Sequence, residues 1–212
     1  MKRTRQSSKR SAKASSAALT ELLARIRACN ACTDLPLGPR PVIQAHPKAR
    51  VVIIGHAPGR LVHASGIPWD DLSGDRLRDW LGISREDFYD PTKAAIVGMG
   101  FCYPGTGKSG DLPPRKECAP LWHEEVFAHL RGDIQLVLIG HYALKYYLGK
   151  ENKKTLTETV RAWKDYLPRF LVLPHPSGRN NAWLKRNPWF ERDALPRMKI
   201  IFQRSLRYAA KT

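Results

Sequence analysis

The sequence predicts an α/β fold with three layers, α/β/α, around a central, mainly parallel four-stranded sheet. Four short apolar runs rich in β-branched residues support this prediction, at 51–55 (VVIIG), 95–99 (AIVGM), 135–140 (QLVLIG) and 170–174 (FLVLP). Continuous apolar runs of this length are typical of parallel strands that are buried on both faces. Helical patterns alternate with the runs at 19–27, 75–81, 116–130, 142–148 and about 187–208, the last interrupted near Pro196. Alternation of strands and helices favours a parallel sheet with helices on both faces.

The N-terminus differs in composition from the rest of the chain. Residues 1–17 contain six basic side chains, no acidic ones and many serines. Such a segment has too little apolar surface to drive its own ordering, so we expect a flexible basic arm at 1–17 and one domain at 18–212. There is no apolar signal segment. We expect a cytoplasmic protein, associated with the nucleoid if the organism is bacterial, with organellar import as the alternative.

The charge of the chain points to a polyanionic partner. Thirty-six Lys and Arg face 19 Asp and Glu, which gives a net charge of +17. Charge repulsion of this size destabilises a compact state unless an anionic partner offsets it, and nucleic acid is the natural candidate. No apolar run approaches the roughly 18 residues of a membrane span. We expect a monomer that binds DNA and no membrane.

Three polar segments rich in Gly and Pro follow predicted strands, at 55–73, 100–114 and 175–187. In parallel sheets, ligands bind beyond the carboxyl ends of the strands. These segments therefore form the predicted site. One of them contains a glycine-rich run, GTGKSGD at 105–111. Its glycine and lysine spacing does not fit a P-loop, and we interpret it as a basic loop that lies against DNA phosphates.

The four cysteines form a Cys29-x2-Cys32 pair and a Cys102-x15-Cys118 pair. The first pair precedes the first strand, and the second pair brackets the loop after the second strand. Four thiolates suit an iron–sulfur cluster or a zinc ion. Four ordinary buried thiols are the remaining alternative.

The polar segments resemble motifs of a known family. GHAPGRLVHASGIPW at 55–69 is similar to the first motif of the iron–sulfur (family 4) uracil-DNA glycosylases, in which G-E-A-P-G leads to G-R-P-F. HPSGRNN at 175–181 is similar to the second motif, H-P-S. The cysteine spacing matches the cluster ligands of that family, so the resemblance covers about 22–208. It implies a uracil-DNA glycosylase-like fold, and a [4Fe–4S] cluster on the four cysteines.

Three positions depart from the family pattern. His56 replaces the Glu of G-E-A-P-G, and Trp69 replaces the smaller aromatic of G-R-P-F. Gly98 stands four residues before the third cysteine, where the family usually has an Asn that reads uracil. A site without that amide loses discrimination, which indicates a branch with a different lesion preference.

The resemblance and the residue chemistry together suggest roles for the site residues. A base that is flipped out of the duplex would stack on Trp69. His175 would stabilise the negative charge that develops on the departing base. His56 would hold or activate the water. Alternatively, Asp70 or Asp71 would support the sugar cation or the water, and N-capping of the next helix is the remaining interpretation of this acidic pair. The other expected substrate contacts are Gly55, Ala57, Pro58, Gly59, Ser177, Gly178, Arg179 and Asn180.

The predicted function is a monofunctional DNA-repair glycosylase. It would hydrolyse the N-glycosidic bond of uracil or another deaminated base by water attack, because neither motif contains a lysine nucleophile. The alternatives are a catalytically weak module that binds DNA lesions and, from a third class, an RNA-associated iron–sulfur protein.

Overall fold

The computed structural model describes residues 16–108 and 110–207, and a parallel four-stranded sheet lies at its centre. The strands are β1 (Val51–Ile54), β2 (Ala94–Ile96), β5 (Gln135–Ile139) and β6 (Phe170–Leu173), and their order is β2-β1-β5-β6. Two further strands, β3 (Thr106–Gly107) and β4 (Gly110–Asp111), form a small antiparallel hairpin. The four apolar runs of the sequence therefore form the four parallel strands that were predicted.

Burial of the strands shows that both faces of the sheet are covered. All four residues of β1 are completely inaccessible to solvent, although successive side chains of a strand point to opposite faces. All four residues of β6 are likewise buried. The prediction of three layers is confirmed, because only helices on both faces can exclude water in this way.

Nine helices occupy the described residues, separated by short turns. They are α1 (16–27), α2 (Arg60–Ser65), α3 (Leu72–Leu81), α4 (Arg85–Tyr89), α5 (Cys118–Ala128), α6 (Gly140–Leu148), α7 (Leu156–Arg161), α8 (Asn181–Arg186) and α9 (Leu195–Arg207). Single turns of 3-10 helix lie at Gly149–Glu151, Trp163–Tyr166 and Gly178–Asn180. No helix among these residues is long and apolar enough to cross a membrane.

Helix α1 extends further toward the N-terminus than the sequence predicts. Residues 16 and 17, assigned above to the basic arm, are helical. Leu19, Leu22 and Ile26 lie on the buried face of this helix, and their spacing continues one helical stripe. Burial of this stripe stabilises the first turn of the helix, which includes residues 16 and 17. The rest of the predicted arm, 1–15, lies outside the described residues.

The predicted interruption near Pro196 takes the form of a π-helical turn. Phe190–Ala194 is π-helical and leads without a gap into α9. Proline lacks the backbone N–H that the helical ladder requires, and a π turn is one way to absorb such a defect. Tyr208, the predicted end of this helix, lies outside the described residues.

The strand order determines where a ligand can bind. From β1 the chain moves outward to β2, and then returns to the other side of β1 to form β5 and β6. Loops that leave β1 and β5 therefore diverge, which opens a crevice at the carboxyl ends of these strands.

Candidate active site

One cavity of about 460 Å³ lies beyond the carboxyl ends of β1, β2 and β6. Its volume is typical of a small-molecule site. Most of the residues that the sequence suggested for the site line this cavity. They are Gly55, His56, Ala57, Pro58, Gly59, Trp69, His175, Ser177, Gly178 and Arg179. Asp70 and Asn180 are not among its lining residues.

His175 presents a neutral imidazole with one defined tautomer. Burial, together with the nearby His56 and Arg179, lowers the pKa of His175 to about 4. The ring is therefore neutral at neutral pH. Its Nδ1 accepts a hydrogen bond from the backbone N–H of Ser177 at 3.2 Å, so the ring proton is on Nε2. This arrangement leaves an N–H donor on the side of the ring away from Ser177.

The indole of Trp69 stacks on His175. Their ring centroids lie 5.5 Å apart and the ring planes differ by 27°. The indole also lies against Gly55, where a β-carbon would come within 2.4 Å of Trp69 Cζ2. Only glycine at position 55 allows this approach. The loops after β1 and β6 thus meet through these two rings.

The backbone of Trp69 adopts an unusual conformation. Its φ of 57° lies in the left-handed region, which non-glycine residues rarely occupy. The guanidinium of Arg78, which is only 6% exposed, donates a hydrogen bond to the Trp69 carbonyl at 3.3 Å. Strained residues that the surroundings hold in place cluster at functional sites. Arg78 is a positioning residue that the sequence did not reveal.

His56 faces His175 across the floor of the cavity, and their ring centroids are 6.5 Å apart. Burial lowers the pKa of His56, while the negative charge of Asp111 acts in the opposite direction. Both imidazoles of the cavity are therefore neutral at neutral pH, and His56 has an anionic neighbour.

Asp111 is the clearest residue that sequence reasoning missed. It ends strand β4 and lines the cavity. Its Oδ2 lies 3.5 Å from the position that a β-carbon on Gly59 would occupy. The sequence placed Asp111 in the glycine-rich run but gave no sign of the hairpin that turns it toward His56. The three glycines of that run, which permit a tight turn, were the only available signal.

The acidic pair Asp70 and Asp71 has a different arrangement from the one expected. Asp70 forms an ion pair with Arg85, with Oδ1 and Nη2 2.8 Å apart. Asp71 caps helix α3, since its Oδ1 accepts from the backbone N–H of Gly74 at 2.8 Å. Asp71 also lines the cavity. The capping alternative therefore describes Asp71, and Asp70 is held by a surface arginine.

The loop after β6 is fixed by side chains that do not line the cavity. Asn180 Nδ2 donates to the carbonyl of His175 at 2.6 Å, so this amide positions the loop. Arg76 from α3 donates to Asn181 Oδ1 at 2.8 Å. Arg179 lines the cavity and lies against the hairpin, close to Gly110. Its guanidinium supplies a positive charge at the lining of the cavity.

The segment after β2 contributes Gly98, which has no side chain, to the wall of the cavity. A β-carbon there would lie 2.7 Å from the carbonyl oxygen of Gly100 and 3.3 Å from that of His56. The Gly98 carbonyl accepts a hydrogen bond from Nε2 of His123 at 3.0 Å. The backbone alone therefore forms this wall, and a buried histidine holds it.

The four cysteines belong to two loops that an ion pair joins. Asp34, two residues after Cys32, lies 2.8 Å from Arg115, three residues before Cys118. Burial raises the pKa of Cys102 to about 11, with smaller contributions from the thiols of Cys118, Cys32 and Cys29. The four thiols are therefore close enough to interact electrostatically. Within residues 16–108 and 110–207, no three His, Cys, Asp or Glu side chains are gathered around a point that could hold one metal ion.

Comparison with known families agrees with this geometry. The family model described as the uracil DNA glycosylase superfamily matches residues 43–199 of the 212-residue chain. The match runs from before β1 into the first turn of α9 and includes the loops that line the cavity. It indicates a hydrolase that acts on DNA as a glycosylase. The chain belongs to the uracil DNA glycosylase superfamily.

Proposed function

We propose that this protein is a monofunctional DNA glycosylase that hydrolyses the N-glycosidic bond of a flipped-out deaminated base. The observation that carries the proposal is the stacked pair of Trp69 and His175 in a cavity that also contains His56 and Asp111. An aromatic surface, a neutral N–H donor and an acid–base pair are what base excision by water requires.

The neutral imidazole of His175 suits the leaving base. Negative charge develops on the base as the bond to deoxyribose breaks, and a buried N–H donor stabilises that charge without first losing a shell of water. Ser177 fixes the tautomer through its backbone N–H. The chain therefore holds the donor ready before the substrate arrives.

His56 and Asp111 are our candidates for activating the water. His56 is neutral and can accept a proton, and the Asp111 carboxylate is near enough to stabilise the imidazolium that would form. We assign to Asp111 the supporting role that the sequence suggested for Asp70. No lysine is among the cavity-lining residues within the described ranges, which favours water attack over a Schiff base.

The substrate range is proposed to extend beyond uracil. Gly98 provides no side-chain amide to pair with a base edge, and recognition without such a group discriminates weakly. Uracil, hypoxanthine and xanthine are the deaminated bases to compare.

We further propose that Cys29, Cys32, Cys102 and Cys118 hold a [4Fe–4S] cluster, as the iron–sulfur type of this superfamily does. Such a cluster attaches each thiolate to a different iron, whereas zinc needs all four sulfurs around one point. Arg115 Nε is buried and has no hydrogen-bond partner within residues 16–108 and 110–207, and the charge of Arg115 acts on Cys32. An N–H donor beside the thiols fits a cluster of sulfur acceptors. The cluster would join the loop after α1 to the loop between β2 and α5.

The proposal is tested with single-stranded and duplex oligonucleotides that contain uracil, hypoxanthine, xanthine or ethenocytosine. Excision leaves an abasic site, so alkali cleaves the strand at the lesion. Cleavage of at least one substrate is the expected result, and borohydride should trap no covalent adduct. Binding without cleavage of any substrate would favour the alternative of a lesion-binding module.

Two matched carboxylate variants test the role of Asp111. Asp111→Asn should lower the excision rate by roughly 10²-fold, in the range of general acid–base contributions. Asp70→Asn removes one charge from the same site region but only breaks the pair with Arg85, so its rate should stay within about twofold. The reverse order of effects would return the role to Asp70.

The cluster is tested on protein purified without oxygen. We expect iron and sulfide in equal amounts and broad absorbance near ~400 nm. Cys102→Ala should reduce the yield of folded protein more than the rate of the protein that folds. A colourless protein that contains zinc would contradict the assignment.

A further inference from the structure

Helix α6 presents the two exposed aromatic rings of the described chain. Tyr142 is 38% and Tyr146 is 47% exposed. Every other Phe, Tyr and Trp in the described ranges is buried or half-buried. The two tyrosines are four residues apart, so they lie on the same face of the helix, one turn from each other.

The exposed face of α6 begins at the cavity. The helix follows β5 directly, and β5 lies between β1 and β6, which carry His56 and His175 on their loops. The ring of Tyr142 meets the ring of His56 edge to face, with centroids 5.2 Å apart. The first exposed ring of α6 therefore adjoins a residue that lines the cavity.

The ring of Tyr146 is held in place by two neighbouring rings of the protein. Its ring packs against Tyr147, with centroids 5.0 Å apart, and against His123 at 6.3 Å. His123 is itself buried and bonded to Gly98. Little side-chain freedom remains to be lost when a ligand stacks on the outer face of Tyr146.

Positive charge lies beside this face. Lys145 is exposed on the row of α6 next to the tyrosines, and Lys150 follows beyond the end of the helix. Residues 140–150 contain no Asp or Glu. Aromatic rings interleaved with cations are the combination that binds unpaired nucleotides, because rings stack on bases and cations meet phosphates.

We propose that the α6 ridge, formed by Tyr142, Lys145 and Tyr146, binds the unpaired nucleotides that adjoin the flipped base. The inference rests on the proposed function and specifies its substrate as single-stranded DNA. In a duplex, base faces are covered by their neighbours and cannot stack on protein rings. In a single strand, the base next to the flipped one is free to stack on Tyr142, and the following base on Tyr146.

Binding of fluorescent 15-nucleotide probes, measured by anisotropy, tests the ridge. One probe carries normal bases around a central abasic analogue, and the second has abasic analogues at the flanking positions too. The phosphates are the same in both probes, so any difference in affinity reports stacking. The wild-type protein should bind the first probe more tightly than the second, by roughly 5- to 100-fold for each base that stacks.

Tyr146→Ala should remove the contribution of one stacked base and so reduce this difference, and Tyr146→Phe should retain it. Neither variant should change the affinity for the matched duplex by more than about twofold. Equal affinity of the wild-type protein for the two single-stranded probes would overturn the proposal, as would an unchanged difference in Tyr146→Ala.

Photocrosslinking keeps the test independent of how well the variants fold. A single strand with 5-iodo-deoxycytidine beside the abasic analogue is irradiated with the wild-type protein. The crosslinked peptide should contain Tyr142 or Tyr146, and a crosslink confined to other segments would contradict the ridge. Both measurements use probes without an excisable base, so loss of stacking is distinguishable from loss of glycosylase activity.

Discussion

Two histidines, His123 buried and His175 half-buried, hold two walls of the same cavity, yet their surroundings give them different roles. His175 follows β6 and His123 lies in α5. Burial lowers the pKa of each to about 4. His123 uses both ring nitrogens inside the protein: Nε2 donates to the Gly98 carbonyl, and Nδ1 accepts from the hydroxyl of Tyr147. His175 uses Nδ1 for Ser177 and has no internal partner for Nε2 among the hydrogen bonds of the described residues.

The comparison shows that a perturbed pKa alone does not identify a reactive group. Desolvation acts equally on a structural and a catalytic imidazole. What distinguishes the two rings is Nε2 of His175, which makes no hydrogen bond within the described residues and belongs to a ring that lines the cavity. This distinction makes opposite predictions for the two rings.

The largest effect is expected from His175→Ala. Removal of one preorganised donor to a developing anion typically costs 10²–10³ in rate, and we expect a loss of this size in single-turnover base excision. The free energy of unfolding should fall less than in His123→Ala, because only the stack on Trp69 and the bond from Ser177 are lost and no buried partner depends on Nε2. A variant that keeps its rate would place the anion-stabilising donor elsewhere.

His123→Ala should show the opposite pattern. It leaves the Gly98 carbonyl and the Tyr147 hydroxyl buried without partners, at about 1–3 kcal/mol for each group, and it opens a cavity. We expect the free energy of unfolding in urea to fall by roughly 3–5 kcal/mol. If instead stability is retained and only the rate falls, His123 acts in catalysis.

Acid should destabilise the protein through both rings. In the unfolded chain a histidine takes up a proton near pH 6.5, whereas His123 and His175 do so only near 4 when folded. The unfolded state therefore binds more protons between pH 6.5 and 4, and stability falls through this window by up to about 3 kcal/mol for each ring.

Urea unfolding at pH 7 and pH 5 measures this effect. The loss on going to pH 5 should be smaller in His175→Gln and in His123→Gln than in the wild-type protein. A wild-type stability that rises from pH 7 to pH 5 would contradict neutral burial of the two rings.

The smallest effect is expected from Tyr147→Phe. This change removes only the hydroxyl that donates to His123 Nδ1, leaves that nitrogen buried without its partner, and should cost about 1–3 kcal/mol of unfolding free energy. The ring packing and the bond from Nε2 to Gly98 remain, so the excision rate should stay within about threefold. A rate loss as large as that of His175→Ala would show that the buried series of hydrogen bonds from Tyr147 through His123 to Gly98 controls the chemistry.

The sequence was sufficient for the fold because its strands are short, apolar and buried on both faces. The run at 51–55 could only become a central strand, since no exposed face would tolerate four β-branched apolar residues. Element ends were less certain: β2 stops at Ile96, short of the predicted Met99, because the chain turns at Gly98 to approach His56.

The sequence by itself also determined which loops surround the site, since parallel strands place their carboxyl ends at one edge. Only the tertiary structure decided the partners within it. It paired Asp70 with Arg85, used Asn180 to hold a carbonyl, and brought Asp111 beside His56 through a hairpin. The physical reason is range: burial patterns are local in sequence, whereas hydrogen bonds and ion pairs depend on distances between distant segments that only the folded chain fixes.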